Sequence, residues 1–159
     1  MDARNVKRRS AEKTSAPHVW LIMWKAVHAV ARQIDADLQR CGLSNTDFRV
    51  LEALLHKGPL PVNVIGPKVA LTPGAISVAV DRLEKRGLVE REEGDRDKRI
   101  RIVALTKAGE KVIAPVYSRH AALLERLLEP LSDAQRASLQ AMLKTIGKHA
   151  ETMPEMPED

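Results

Sequence analysis

Apolar residues recur along this chain with two periods, and each change of period marks a new element. From about His18 to Arg40, Trp20, Trp24, Val27, Ala31, Ile34 and Leu38 fall on one stripe of a helix. Val19, Met23, Ala26 and Val30 make a second stripe on another face, and in the first half only Lys25, His28 and Arg32 break the apolar character. A helix apolar on most sides must be covered on most sides. In a chain of 159 residues, a second subunit is the expected cover.

Gly42 closes that helix, and Ser44 with Asp47 three residues on resembles a capping box. The second helix then carries Phe48, Val50, Leu51, Leu54 and Leu55 and ends near Lys57–Gly58. Leu60 to Val62 reads as a short extended piece. A third helix, about Asn63 to Ala70 with Asn63 as cap, contains Pro67, which predicts a short or distorted helix. The fourth is the clearest. Thr72 can cap it, Pro73 sits where the first N–H is unpaired anyway, and Gly87 stops it after Lys85 and Arg86. Ile76, Val80 and Leu83 form its buried stripe, while Gly74, Ser77, Val78, Asp81, Arg82 and Lys85 form the opposite face.

The period then shortens. Leu88 to Glu92 and Ile100 to Leu105 alternate in part, around the turn chemistry of Glu93–Gly94–Asp95, which predicts a β-hairpin with a charged tip. Thr106 caps a long helix from Lys107 to Leu128, which Pro115 should kink or split. Its apolar face is Leu123, Leu124, Leu127 and Leu128. After Pro130, Ser132 with Gln135 makes a second capping box for a helix to about His149, with Leu139, Met142, Leu143 and Ile146 as its stripe. The parts are therefore a disordered basic arm (1–16), an N-terminal helix (17–41), a central motif (42–106), C-terminal helices (107–150) and a flexible tail (151–159).

Two Trp, one Tyr and one Phe are all the aromatic residues, so the core must be mostly Leu, Val, Ile and Ala. The net charge of +5 permits an anionic partner without demanding one. Cys41 stands alone, which excludes an intrachain disulfide and a cysteine-based metal site, and it reads as a small apolar residue near a helix end. Among His18, His28, His56, His120 and His149 no pair has i, i+4 spacing, so no metal site is expected. No signal peptide and no bilayer-length apolar run are seen, and a cytoplasmic location is expected, with no membrane partner. No paired carboxylates, nucleophile–base motif or Gly-rich phosphate loop points to an enzyme, and no cofactor is implied.

Two helices joined by a tight turn and followed by a charged hairpin are the plan of a winged helix-turn-helix: mainly α with a small β-hairpin wing. In that plan the helix from Thr72 to Arg86 enters a major groove of double-stranded DNA and the hairpin lies along the backbone. At this point the residues resemble a known family. Asp97-Lys98-Arg99, then five residues, then Leu105-Thr106, is similar to the wing signature of the MarR family of bacterial transcriptional regulators. Val80-Asp81-Arg82-Leu83-Glu84-Lys85-Arg86-Gly87-Leu88-Val89 resembles that family's recognition-helix exit.

The resemblance implies a homodimer built from dimerisation helices at both termini and bound to a pseudo-palindromic operator. It implies repression relieved by a small aromatic or phenolic anion held between the dimerisation and DNA-binding regions. Thr72, Pro73 and Gly74 start the recognition helix, and Ser77 and Val78 fall where the family's helix meets bases, with Arg82 adding a polar contact. Many relatives carry Arg where this chain has Val78; Val78 offers only van der Waals contact, for example to a thymine methyl. Arg96 takes the tip position from which the family's Arg reaches a minor groove, and Lys98 is a phosphate contact. Asp97 and Arg99 are structural, facing the same way on a strand and able to pair with each other or with Asp81.

For the ligand, Trp20, Trp24 and His28 at i, i+4 and i+8, with Lys25 and Arg32 nearby and Phe48 and Arg49 from the second helix, suit an aromatic carboxylate. The alternative for both Trp residues is core or dimer interface. The rival to the whole reading is a winged-helix protein–protein interaction module without DNA binding, favoured by the acidic wing residues and Val78. Arg82, Lys85, Arg96, Lys98 and Arg101 oppose it.

Overall fold

A computed structural model of the chain describes residues 14–69, 72–93 and 101–154. The elements run α1 (Ala16–Arg40), α2 (Asn45–Lys57), β1 (Leu60–Pro61), α3 (Val62–Lys68), α4 (Pro73–Lys85), β2 (Val89–Glu93), β3 (Arg101–Leu105), α5 (Lys107–Leu128) and α6 (Asp133–Thr152). The chain divides within α5 into two compact units, one ending at Ala121 and the other beginning at Ala122. Most of the expected basic arm, the hairpin tip and the end of the tail lie outside the described residues.

Local chemistry sets the boundaries. The α1 helix starts at Ala16, ahead of His18, because Pro17 falls in the first turn, where its missing donor costs nothing. The capping box of α2 is formed: Asp47 N donates to Ser44 Oγ at 3.1 Å, and Ser44 N returns to the Asp47 carboxylate at 3.4 Å. The cap of α3 is Pro61, two residues before Asn63, so Pro67 sits near the end of a seven-residue helix that stops at Lys68. Pro115 does not split α5. The turns on either side of it bury Ile113 and Val116, and that packing carries the helix through the lost hydrogen bond. The second capping box opens α6, which continues past His149 to Thr152.

The three strands form an antiparallel sheet in the order β1-β3-β2. Leu60 lies opposite Val103, so the short extended piece becomes an edge strand, a position that tolerates Pro61. Against this sheet α2, α3 and α4 bury Phe48, Leu51, Leu54, Ile65, Ile76, Val80 and Leu83 together with Val103. The core is aliphatic apart from Phe48, as the composition requires.

Two helices keep apolar faces outside that core. On α1, Val19, Trp20, Ile22, Trp24 and Val27 are exposed, with Trp20 at 61%. On α6, in the other unit, Leu139, Met142, Leu143 and Ile146 are exposed and no residue is buried. Among the described residues, no helix is long and apolar enough to cross a membrane.

The junction between α4 and α5 is tight. Gly87 adopts φ +67°, which lets the chain leave α4 sharply. Thr106 Oγ1 donates to Gly87 O at 2.7 Å and accepts from Gly109 N at 3.0 Å. This brings the first turn of α5 so close that a Cβ on Gly109 would stand 2.0 Å from Leu88 O. Gly109→Ala should therefore destabilise the protein by about 1–3 kcal/mol despite better helix propensity. Gly147→Ala, where a Cβ meets nothing within 4 Å, should stabilise it by about 0.5–1 kcal/mol. Urea unfolding of the two variants checks the opposite signs.

Candidate nucleic-acid interface

The face of α4 opposite the core is open. Ile76, Ala79, Val80 and Leu83 are buried, and Gly74, Ser77, Val78, Asp81, Arg82 and Lys85 are all exposed, with Val78 at 60%. Val78 takes no part in the buried core. At the start of the helix, Thr72 Oγ1 accepts from Ala75 N at 3.3 Å and Pro73 occupies the first turn. With Pro73 lacking an N–H and Ile76 N bonded to Thr72 O, the N–H of Gly74 is the one left in that turn at the positive end of the helix dipole, where a phosphate contact is favoured. Ser77 Oγ donates to Pro73 O at 3.1 Å, which leaves the hydroxyl oxygen as an acceptor.

Two ion pairs set the pose of this helix, and neither is local in sequence. The carboxylate of Asp47, 2% exposed, receives Arg82 Nε at 3.0 and 3.1 Å and Arg82 Nη2 at 2.6 Å. Arg82 Nη2 also donates to Ser44 Oγ at 3.3 Å, and Arg86 Nη1 stands 3.9 Å from Asp47. The hydrogen bond to Asp47 raises the Arg82 pKa further above its usual value, against a smaller opposing effect of burial. Asp47 thus caps α2 and clamps α4 with one carboxylate. On the other side, Arg91 of β2 donates to Asp81 and, at 2.6 Å, to Glu84. Asp81 takes this partner from the near strand; the wing residues Asp97 and Arg99 lie outside the described residues, as do Arg96 and Lys98.

Sequence reasoning placed Arg82 on the open face but missed its protein partner, and it missed Arg91 altogether. The one signal for Arg82 was the capping box itself, which puts a carboxylate at Asp47 without revealing its second use. Beside Arg82, an open hollow of about 420 Å³ is lined by Val78, Asp81, Arg82, Lys85 and Arg86. Three of those five side chains are cationic.

The expected ligand residues do not share one environment. Trp20 and Trp24 are exposed on α1, and Trp24 lies against His28, with ring centroids 4.1 Å apart and His28 Nδ1 2.9 Å from Trp24 O. Phe48 is in the core against His120, with centroids 4.6 Å apart. Among the described residues no cluster of His, Cys, Asp and Glu could hold a metal ion.

A family model described as MarR family matches residues 42–100. The HTH-type transcriptional regulator MhqR of Bacillus subtilis is 30% identical over 132 residues, covering 83% of this chain and 91% of that protein. The HTH-type transcriptional repressor MdtR of the same organism is 25% identical over 115 residues, covering 72% and 74%. Among solved structures, the MarR family regulator AbsC of Streptomyces coelicolor superposes with a TM-score of 0.78 at 23% identity, over 85% of this chain and 93% of that one. A MarR family regulator from Silicibacter pomeroyi gives 0.70 at 26% identity, over 93% and 98%.

The Asp47–Arg82 pair has a measurable weight. Arg82→Met leaves a buried carboxylate without its principal partner. Because the guanidinium side is 43% exposed, the cost should fall below the about 3–5 kcal/mol of a fully buried pair, at about 2 kcal/mol. Asp47→Ala frees Arg82 to hydrate and removes only the return bond from Ser44 N, while Ser44 Oγ still caps α2, so it should cost less than Arg82→Met. Guanidinium unfolding of each single variant and the double variant measures the coupling directly.

Proposed function

We propose that this chain, which belongs to the MarR family of DNA-binding transcriptional regulators, acts as a homodimeric repressor that binds a pseudo-palindromic operator. The observation that carries the reading is the open stripe of α4, held between the Asp47 and Arg91 ion pairs with its first turn bare. Thr72, Pro73 and Gly74 would meet phosphate, Ser77 and Val78 the base edges, and Arg82 and Lys85 the flanking backbone. Arg96 and Lys98 would extend the contact from the wing. In support of repression, one curated relative, MdtR, is named a repressor. The exposed apolar faces of α1 and α6 support a dimer, because a monomer would leave both in water. A protein with this task belongs in the cytoplasm, with the DNA.

In this reading a small aromatic or phenolic anion would relieve repression by binding against Trp20, Trp24 and His28. Phe48, covered in this structure, would join such a site on a ligand-induced opening of the core. The rival, a protein–protein module, has less support, because Arg82, Lys85 and Arg86 line one hollow on the exposed face.

Selection of bound DNA from a random pool tests the reading. The enriched site should be an inverted repeat whose half-sites lie about one helical turn, 10 bp, apart, occupied by a dimer. Arg96→Ala should weaken binding across all sequences and lower the salt slope by about one unit. A pool without enrichment would remove the proposal.

Tryptophan fluorescence tests the ligand. Aromatic acids should quench it, and Trp24→Leu should abolish most of the quenching. A flat response across a panel of such acids would exclude this site.

A further inference from the structure

Gly74 has no structural reason to be glycine. Its φ is not positive, and a Cβ built there meets nothing within 4 Å, so alanine would fit and would suit a helix better. A bare backbone on an exposed face marks a place where something outside comes close. Val78 lies one turn further on, and side chains of a helix lean toward its N-terminus, over the preceding turn. Its isopropyl group therefore lies toward the Gly74 turn without covering it, since nothing stands within 4 Å of a Cβ built there. On its other side it forms a wall of the open 420 Å³ hollow.

Most polar groups around Val78 are already engaged within the protein, and the one left open on Ser77 is an acceptor, which cannot take guanine O6 or N7 because both are acceptors themselves. The hydroxyl hydrogen of Ser77 goes to Pro73 O. The Asp81 carboxylate receives Arg91. Arg82 Nη2 donates to both Asp47 and Ser44, and each fork of a guanidinium that could take guanine O6 and N7 together includes Nη2. Lys85, a point charge further along the helix, suits a phosphate better than a base pair.

We infer that Val78, exposed one turn beyond the bare backbone at Gly74, reads a thymine by packing on its C5-methyl group, so that an A·T pair rather than a guanine fixes this position of each half-site. Arg82 is then a positioning residue for the reading helix. The inference rests on the DNA-binding function proposed above and names what that surface selects.

Uracil differs from thymine only by the methyl group, which makes the test direct. Each thymine of the selected operator is replaced by uracil in both half-sites, and binding is measured for the parent protein, Val78→Ala and Gly74→Ala. One symmetric position should lose about four- to fifteenfold in affinity, the worth of one or two buried methyl-sized groups. Val78→Ala should weaken binding to the thymine operator by a similar factor and become indifferent to uracil there. Gly74→Ala should also weaken binding while leaving the unfolding midpoint no lower than that of the parent. A flat uracil scan on a site that is otherwise bound specifically would overturn the inference alone, as would a uracil penalty that survives in Val78→Ala. A pool with no enriched sequence would instead remove the DNA-binding reading, and this inference with it.

Discussion

The fold around the open helix depends on one carboxylate placed almost wholly out of water. Asp47 closes the first turn of α2 and holds Arg82 of α4 by two atoms of its guanidinium. A charge at 2% exposure is tolerable only when hydrogen-bonded on both oxygens, and Arg82 supplies that with a planar fork. Lysine could not replace it as well, since its ammonium is a point charge without the fork geometry. The pair therefore does more for the angle of α4 than for net stability, because desolvation cancels much of the attraction of any buried ion pair.

A helix packed on one side and open on the other faces conflicting demands: one side must be held firmly and the other must stay bare. Hydrophobic burial of Ile76, Val80 and Leu83 satisfies the first, but apolar packing alone leaves some freedom to roll about the helix axis. The two ion pairs remove that freedom from opposite edges, Asp47 on Arg82 and Arg91 on Asp81 and Glu84. Their exposed halves hydrate well, so the second pair in particular adds little energy. What they add is direction, and it is direction that decides which side chains the open face presents.

Much of this was legible in the sequence because it is local. Both capping boxes, the stops at Gly42, Gly58 and Gly87 and the buried stripe of α4 follow from residues within four positions of each other. The breaks with expectation are instructive for the same reason. Pro115 reads locally as a break, yet burial of Ile113 and Val116 overrides it. Asn63 reads as a cap, yet the pairing of Leu60 and Pro61 with β3 starts α3 earlier. The sequence could not show that Asp47 meets Arg82, 35 positions away, or that Arg91 turns toward α4. Nor could it separate Phe48, packed on His120, from the indoles of α1. Each of those depends on which elements the core brings together.

The same carboxylate has a consequence for how α1 and α4 are joined. The end of α1 is tied to the start of α2 by Asn45 Nδ2 on Asp35 at 3.0 Å, and Leu38 and Leu43 are buried in the shared core. Arg119 of α5 holds Asp37 by a second guanidinium fork. Between Leu43 and Asp47 there is only the cap, and beyond Asp47 is Arg82. Close-packed interiors do not deform smoothly. A shift of the C-terminal end of α1 therefore has few places to be absorbed: it must break the Asp35 or Asp37 contacts, open the cap at Ser44, or carry Asp47 and α4 with it. Of these, opening the cap costs about 1 kcal/mol and exposes a carboxylate that still has Arg82 beside it. Moving Asp47 with its cap intact keeps every hydrogen bond at the junction, so one carboxylate, bound to Ser44 on one side and Arg82 on the other, joins the segment after α1 to α4.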